Sequence, residues 1–312
     1  MMNKIELAIS VKNPGYFLFF IYNVRLAEKT TIINKDIKLR YITKEEHNVL
    51  NFVGGPPVEG KNAPFVIKIK MPASWKSKNA IDMLVKDGKL TKTMEALMGG
   101  LEIVLDDEIN MPRKIGNRSD FPRLQGGVYF GNGFTATIRK PSWFAVLSEK
   151  KSMGKIKNIG RFKTRIRTLM GSIKQEYIAN ALRRYYKSKT EGIEDKIVDL
   201  TIALESLTNS DNAFGSISYK TPLRTVFLLH KPNYAKKNQY IDFKFLRRIY
   251  SQRSKIVHGG KRTLAKLERD YGRDYQERFT ALVRSAISTA IELNEKNLDE
   301  YVDKKLIMRG SR

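Results

Sequence analysis

The stretch from Tyr250 to Gly260 reads Tyr-Ser-Gln-Arg-Ser-Lys-Ile-Val-His-Gly-Gly. Ile249 lies four residues before Arg253 and Val257 lies four residues after it, which is the spacing of one helix face. The pattern therefore predicts a helix whose apolar stripe includes the guanidinium of Arg253. The two glycines that follow His258 let the chain turn, so we expect the helix to end there.

An arginine on an apolar stripe needs an anionic or carbonyl partner, because a buried unpaired charge costs roughly several kcal/mol. Glu205 offers such a partner. It continues a stripe begun by Val198 and Ile202 at helical spacing, so its carboxylate is expected to face partly inward and to pair with Arg253 across two packed helices. The pair has two interpretations. It either fixes the register of the helices without doing chemistry, or it orients a cation for catalysis.

The chain from about residue 165 onward is predicted to contain helices only. Apolar residues recur at helical spacing in three sets, which are Ile197, Leu200, Leu204 and Leu207, then Leu246 and Ile249, then Leu264, Leu267, Tyr271, Tyr275, Leu282, Ala286, Ala290 and Leu293. The third set predicts one continuous helix from about Thr263. The linkers at 209–216, 231–238 and 259–260 contain Gly, Asn, Ser or Pro, which are typical of turns.

The N-terminal part has a mixed pattern of strands and helices. Strands are predicted at 16–22, 38–41, 65–71 and 101–105, and a β-hairpin is predicted at 128–138 with Gly131-Asn132-Gly133 at its turn. Helices are predicted at 79–98, with an interruption at Asp87-Gly88, and after the capping box Thr43-Lys44-Glu45-Glu46. The apolar run at 16–22 is too short to span a bilayer, and a signal-peptide core is the alternative to a strand.

These patterns predict an α+β protein with two domains. Residues 1–148 form a mixed α/β domain, residues 149–164 form a basic linker, and residues 165–312 form an all-α helical bundle. A chain of 312 residues is long enough for two cores of ordinary size.

Composition restricts the chemistry. The chain has no cysteine, which excludes disulfides, cysteine-ligated zinc, iron–sulfur clusters and thiol nucleophiles, and which fits a reducing cytoplasm. Lys and Arg number 58 against 32 Asp and Glu, a formal net charge of +26. Such an excess favours a polyanionic partner, nucleic acid first and an anionic membrane surface second. Solubility, or the lysine-rich composition of an AT-rich genome, also accounts for it.

Basic residues are densest from 149 to 190, where Tyr177, Tyr185 and Tyr186 lie among them. Cations interleaved with aromatic rings can hold phosphates and stack bases, although a solvated basic helix face has the same pattern. The candidate RNA-binding residues in this stretch are Arg161, Lys163, Arg165, Arg167, Arg183 and Arg184.

The three histidines are His47, His230 and His258. His47 lies beside two glutamates and is expected at the surface, whereas His230 precedes Lys231-Pro232 and is expected to cap a helix. Their spacing matches no metal site, and the chain has no Walker loop and no nucleophile elbow. We therefore predict neither a metal nor a cofactor.

Three segments resemble the Apea-like branch of the HEPN superfamily. They are Ile-Ala-Leu-Glu-Ser-Leu at 202–207, Lys-Thr-Pro-Leu-Arg at 220–224, and the stretch at 250–260. The resemblance covers about residues 165–312. It implies a bundle of four or five helices, often dimeric, in which two Arg-x4-6-His motifs face each other. Many such relatives are metal-independent endoribonucleases of toxin–antitoxin and antiviral systems, while some are not nucleases.

The catalytic pair of the family matches Arg253 and His258. Many relatives have Asn after the arginine, where this chain has Ser254, which we interpret as a feature of the branch. The resemblance implies a cytoplasmic homodimer that cleaves RNA, with an antitoxin or another defence protein as partner and with Glu205 and Ser254 in supporting roles. The alternatives are a non-catalytic RNA- or DNA-binding module and a protein-interaction module that senses its partner through the N-terminal domain.

Overall fold

The computed structural model describes residues 16–22, 24–25, 30–41, 65–70, 89–110, 123–129, 135–137, 154–156, 158–189, 191–209, 217–229, 236–259 and 263–310. The chain divides into two compact units, Met1–Met94 with Val104–Arg167 and Glu95–Ile103 with Thr168–Arg312. The capping box at 43–46, the helical pattern before residue 89, His47 and His230 lie outside the described residues.

The first unit contains the β-strands. Their bounds are β1 Tyr16–Tyr22, β2 Val24–Arg25, β3 Thr30–Asn34, β4 Ile37–Tyr41, β5 Phe65–Lys70, β6 Ile109–Asn110, β7 Arg123–Tyr129, β8 Thr135–Thr137 and β9 Gly154–Ile156. Six of them form a sheet in the order β3-β4-β5-β1-β7-β8, and β2, β9 and β6 form a second sheet. Strands β7 and β8 pair antiparallel with Val128 opposite Ala136, which confirms the strand pairing of the predicted hairpin, and its turn at 131–133 lies outside the described residues. The predicted strands at 16–22 and 38–41 are confirmed as well, and the one predicted at 65–71 is confirmed over Phe65–Lys70.

Residues 101–105 are not a strand as predicted, because they lie inside helix α1, Lys89–Glu108. Gly99-Gly100 resembled a helix end, and the β-branched residues that follow have strand propensity. The helix continues because its buried face keeps helical spacing on both sides of the glycines, with buried residues Met94, Leu97, Met98, Leu101, Val104 and Leu105.

Every described element after residue 158 is a helix, as predicted. The bounds are α2 Ile159–Ser172, α3 Glu176–Lys187, α4 Ile193–Thr208, α5 Ile217–Leu229, α6 Lys236–Val257, α7 Thr263–Tyr271, α8 Tyr275–Leu293 and α9 Leu298–Gly310. Residues 159–164, which the sequence placed in a basic linker, thus belong to α2. Within the second unit, α4 is central, since it packs against α3, α5, α6, α8 and α9. Its inward residues Ile197, Leu200, Leu204 and Leu207 are buried, as their spacing predicted.

The last apolar stripe spans two helices rather than the single helix predicted. Gly272 separates α7 from α8 and adopts φ of 83°, a left-handed conformation that favours glycine. Its N–H donates to the carbonyl of Glu268 at 2.8 Å, which closes the end of α7. The apolar pattern gives no sign of this break, because Leu267 of α7 and Tyr275 of α8 are both buried. No helix among the described residues combines the length and the apolar character needed to cross a membrane.

The loop between α3 and α4 holds an acidic group that titrates near neutrality. Partial burial, together with a hydrogen bond to Asp199 and the charges of Asp199 and Asp195, raises the pKa of Glu191 to about 7. Asp199 itself binds Arg184 at 2.7 Å. The folded protein therefore holds a proton on Glu191 at a pH where an ordinary glutamate has lost it.

Glu191→Gln should flatten the dependence of stability on pH. A raised carboxyl pKa contributes stability that is complete below the ordinary value of 4.5 and is lost as pH rises through about 7. The melting temperature of the parent should fall as pH rises from 4.5 to about 7, and that of the Gln variant should fall less. Thermal melts at about pH 5 and about pH 8 measure this, with the nearby exposed Glu194→Gln as control. Equal pH dependence in parent and variant would contradict the prediction.

Candidate functional site

The helix that carries Arg253 ends as the sequence predicted. The N–H of His258 donates to the carbonyl of Ser254 at 3.2 Å, and the N–H of Gly259 donates to that of Ile256 at 3.0 Å. Gly259 has φ of 72°, so the chain leaves the helix through a left-handed residue. His258 is exposed just past the last turn of α6. Arg253 lies about 7.5 Å before it along the helix axis.

Glu205 and Arg253 come together across α4 and α6. The Oε2 atom of Glu205 lies 3.8 Å from Nη2 of Arg253, and the two side chains are 24% and 31% exposed. The apolar stripe does not extend as far as predicted, because Val257 is 54% exposed. Arg253, one turn earlier on the same stripe, is half-buried.

The guanidinium of Arg253 retains unused hydrogen-bond donors. A separation of 3.8 Å from Glu205 is an ion pair but exceeds the length of a hydrogen bond. The Nε atom is buried and has no hydrogen-bond partner among the described residues. Because Nε is buried, an incoming anion can reach this guanidinium only through its terminal Nη groups, on a side chain that is 31% exposed.

Tyr250 also belongs to this site, although the sequence pattern predicted no role for it. Its hydroxyl donates to Oε1 of Glu205 at 2.7 Å. Burial, followed by the negative charge of Glu205, raises the pKa of Tyr250, so the hydroxyl stays protonated and remains a donor. The signal in the sequence was its position three residues before Arg253 on one helix, which places the two on neighbouring parts of the helix surface.

Tyr250→Phe should destabilise the protein by about 1–2 kcal/mol, because it removes a hydrogen bond to a charged and mostly buried acceptor. Urea unfolding followed by circular dichroism measures the loss. Tyr301→Phe is the control, since that ring lies on α9 and is contacted by Lys305 rather than by a carboxylate. A Tyr250 variant as stable as the Tyr301 variant would show that the hydroxyl does not hold Glu205.

A second hydrogen-bond network fixes the end of α4 next to Glu205. Asn209 donates through Nδ2 to Oγ1 of Thr221 at 2.6 Å. Arg224 donates to the carbonyl of Thr208 and, through Nε, to Asp303 at 2.8 Å. Residues 220–224 of α5 therefore link this helix to α4 and α9 beside the candidate site.

The remaining predicted site residue in this unit is Ser254. Its side chain is exposed on α6, and its carbonyl accepts the N–H of His258. It therefore contributes to the helix end that positions His258.

The predicted RNA-binding arginines of α2 are engaged within the protein. Nε of Arg161 lies 2.9 Å from Oε1 of Glu108, and Nη2 of Arg165 lies 2.8 Å from Oδ2 of Asp107. Nε of Arg167 donates to the carbonyl of Ile33 at 2.9 Å. These contacts reduce the positive charge that α2 offers to an external phosphate.

Of the two predicted arginines on α3, Arg184 binds Asp199, whereas Arg183 has a buried Nε without a hydrogen-bond partner among the described residues. Lys163 of α2 is half-buried. Tyr185 and Tyr186 are buried, so their rings are unavailable for base stacking. The sequence could not reveal this, since the carboxylates come from distant segments.

Comparisons with protein-family models, with curated proteins and with solved structures each found no match to this chain. Among the residues that the structure describes, no three or more histidine and carboxylate side chains group together as metal ligands. What the site does is therefore inferred from its geometry and from the sequence resemblance.

Proposed function

We propose that this protein is a metal-independent endoribonuclease of the Apea-like HEPN type, with Arg253 and His258 as its catalytic residues. The observation that supports this is the state of Arg253, a partly exposed guanidinium that pairs with Glu205 without a hydrogen bond, five residues before an exposed histidine at the end of the same helix. The proposal includes the cytoplasmic location, the homodimer and the role in defence or stress that the resemblance implies.

The proposed reaction begins when the 2′-oxygen of a ribose attacks the adjacent phosphorus and gives up its proton to a base. The bond between phosphorus and the 5′-oxygen then breaks, and an acid donates a proton to that oxygen. The products are a 2′,3′-cyclic phosphate and a 5′-hydroxyl. A histidine serves as base or acid near neutral pH, and an arginine donates to the charged phosphate oxygens without losing its proton.

One exposed histidine supplies one of the two proton-transfer groups. A second copy of the chain, related by a two-fold axis, supplies the other, with two His258 residues on opposite sides of one phosphate. This assignment explains why the proposed enzyme is a dimer rather than a monomer.

Glu205 and Tyr250 are positioning residues in this proposal. Tyr250 holds the carboxylate of Glu205, and Glu205 attracts Arg253 without forming a hydrogen bond with it. A cation held in this way keeps its place while its donors stay free for phosphate.

One observation favours a second candidate function, a non-catalytic nucleic-acid-binding module. Arg253 has its ionic partner Glu205 inside the same chain, as a purely structural pair requires. The two candidates differ in what replacing His258 does. If the protein is a nuclease, replacing His258 should abolish RNA cleavage and leave RNA binding intact. If it is a binding module, neither the wild-type protein nor the His258 variant should cleave RNA.

The test is incubation of total RNA with the wild-type protein in EDTA, with chemical analysis of the ends. We expect cleavage that leaves 2′,3′-cyclic phosphates, lost in a His258→Ala variant with an unchanged circular dichroism spectrum. Absence of cutting by the wild-type protein, together with salt-sensitive RNA binding, would replace the nuclease with the binding module.

A further inference from the structure

The solvent face of α6 carries basic and aromatic side chains that the proposed catalytic pair does not use. Tyr240, Lys244 and Arg247 are exposed on it at intervals of four and three residues, which is the spacing of one helix face. The same face continues through Lys255 to His258, about 27 Å from Tyr240 along the axis. With Phe243 and with Tyr219 of α5, these form the α6 row, defined as Tyr219, Tyr240, Phe243, Lys244, Arg247 and Lys255.

Cations and rings alternate in the α6 row. Nζ of Lys244 lies 4.5 Å from the ring centroid of Tyr240. The guanidinium of Arg247 lies 5.7 Å from the ring of Tyr219 and 5.8 Å from that of Phe243. Tyr219 and Tyr240 remain 45% and 58% exposed, so solvent still reaches these rings.

The row is uniformly positive. The only acidic residue of α6 is Asp242, which is buried and binds Arg278 at 2.8 Å. Neither Lys244 nor Arg247 forms an ion pair with a described residue, whereas Arg248 on a neighbouring face binds Asp270 at 2.6 Å. Within the described part of the chain, Lys244 and Arg247 thus differ from Arg161 and Arg165 of α2, which have carboxylate partners.

The row also leads to the candidate site. Tyr219 lies two residues before Thr221, whose hydroxyl accepts from Asn209 at the end of α4, the helix that carries Glu205. The helix face of the row reaches His258, three residues after Lys255. A polymer lying along the row would therefore reach His258, whereas Arg253 lies on the inward face of α6 opposite Glu205.

We propose that the α6 row binds single-stranded RNA, with phosphates on Lys244 and Arg247 and with bases stacked on Tyr219 and Tyr240. A single strand presents a phosphate and an exposed base face in each repeat, which matches alternating cations and rings. A duplex hides its base faces, and so fits the row less well. The choice of RNA over DNA rests on the proposed function.

Binding is measured by fluorescence anisotropy with a labelled 2′-O-methyl oligouridine of about 12 nucleotides. This probe has no free 2′-hydroxyl, so it cannot be cut by the proposed reaction. The double variant Lys244→Gln, Arg247→Gln should bind at least about tenfold more weakly, and the slope of log affinity against log salt should fall by about 1.4. Tyr219→Leu and Tyr240→Leu should each weaken binding by about fivefold or more.

The matched control is Arg269→Gln, Arg273→Gln, which removes the same charge from strongly exposed positions in and after α7. It should change affinity by no more than about twofold with little change in slope. Equal losses in both double variants would overturn the proposal, because net charge alone would then explain binding. Row-dependent binding to anionic lipid vesicles without oligonucleotide binding would overturn it in favour of a membrane.

The outcomes separate this inference from the proposed function. Row-dependent binding by a protein that cuts no RNA supports the row as a single-strand site and removes only the nuclease. If the double variant Lys244→Gln, Arg247→Gln cleaves RNA at the full rate and binds the probe with unchanged affinity, the row is not a binding site. The nuclease proposal is then unaffected.

Discussion

Replacing Arg253 by alanine should slow RNA cleavage by at least about 100-fold, equivalent to about 2.7 kcal/mol of transition-state stabilisation. The guanidinium faces the phosphate in the proposed reaction, where charge grows as the 2′-oxygen attacks. Its donors are not used up by Glu205, which lies 3.8 Å away. Their loss therefore acts on the reaction rather than on an existing hydrogen bond. Initial rates with a defined single-stranded RNA in EDTA measure the effect.

Arg248→Ala is the matched control for this prediction. It removes an arginine from the same helix. The guanidinium of Arg248 binds Asp270 at 2.6 Å and does not pair with Glu205. We expect its cleavage rate to stay within about threefold of the parent, since a surface ion pair contributes about 0–1 kcal/mol. Arg253→Lys should recover only part of the activity, because an ammonium keeps the charge and loses the paired donors.

Two results would count against the role of Arg253. If the Arg253 and Arg248 variants cleave at the same rate, the guanidinium does not contact the reacting phosphate. If Arg253→Ala is inactive but unfolds in circular dichroism, the pair with Glu205 is architectural, and Arg253→Lys then decides between the roles by its rate.

Gly99→Ala should destabilise the protein by about 2–3 kcal/mol. A Cβ atom at Gly99 would lie 2.4 Å from the carbonyl oxygen of Leu182 and 3.4 Å from Cβ of Tyr186. The oxygen belongs to the backbone of α3, so the two helices must move apart, and this costs more than the gain of about 1 kcal/mol that alanine brings to a helix interior. Urea unfolding measured by circular dichroism gives the difference.

Gly171→Ala is the control, because a Cβ there would have nothing within 4 Å. It should be neutral or stabilise by up to about 1 kcal/mol through the lower entropy of the unfolded chain. A Gly99 variant as stable as the Gly171 variant would mean that α1 and α3 do not approach each other as closely as described.

The sequence by itself determined the features that depend on local periodicity. Apolar spacing located α4, the alternating pattern at 65–71 located β5, and the glycine after His258 marked the end of α6. The same spacing placed Glu205 and Arg253 on inward faces, and their contact follows once the two helices pack. Within an element, the repeat of the backbone decides which way each side chain points, so sequence order is sufficient information.

Only the tertiary structure decided which of the many cations are free. Arg161 and Arg165 have the same local context as any basic helix residue, yet Glu108 and Asp107 from a distant helix take up their charge. Tyr250 became part of the site because Glu205 lies opposite its hydroxyl. Lys244 and Arg247 stayed unpaired with any described carboxylate. The energy of a charged or hydroxyl group depends on the partner that packing brings to it, and a pattern within one segment contains no information about that partner.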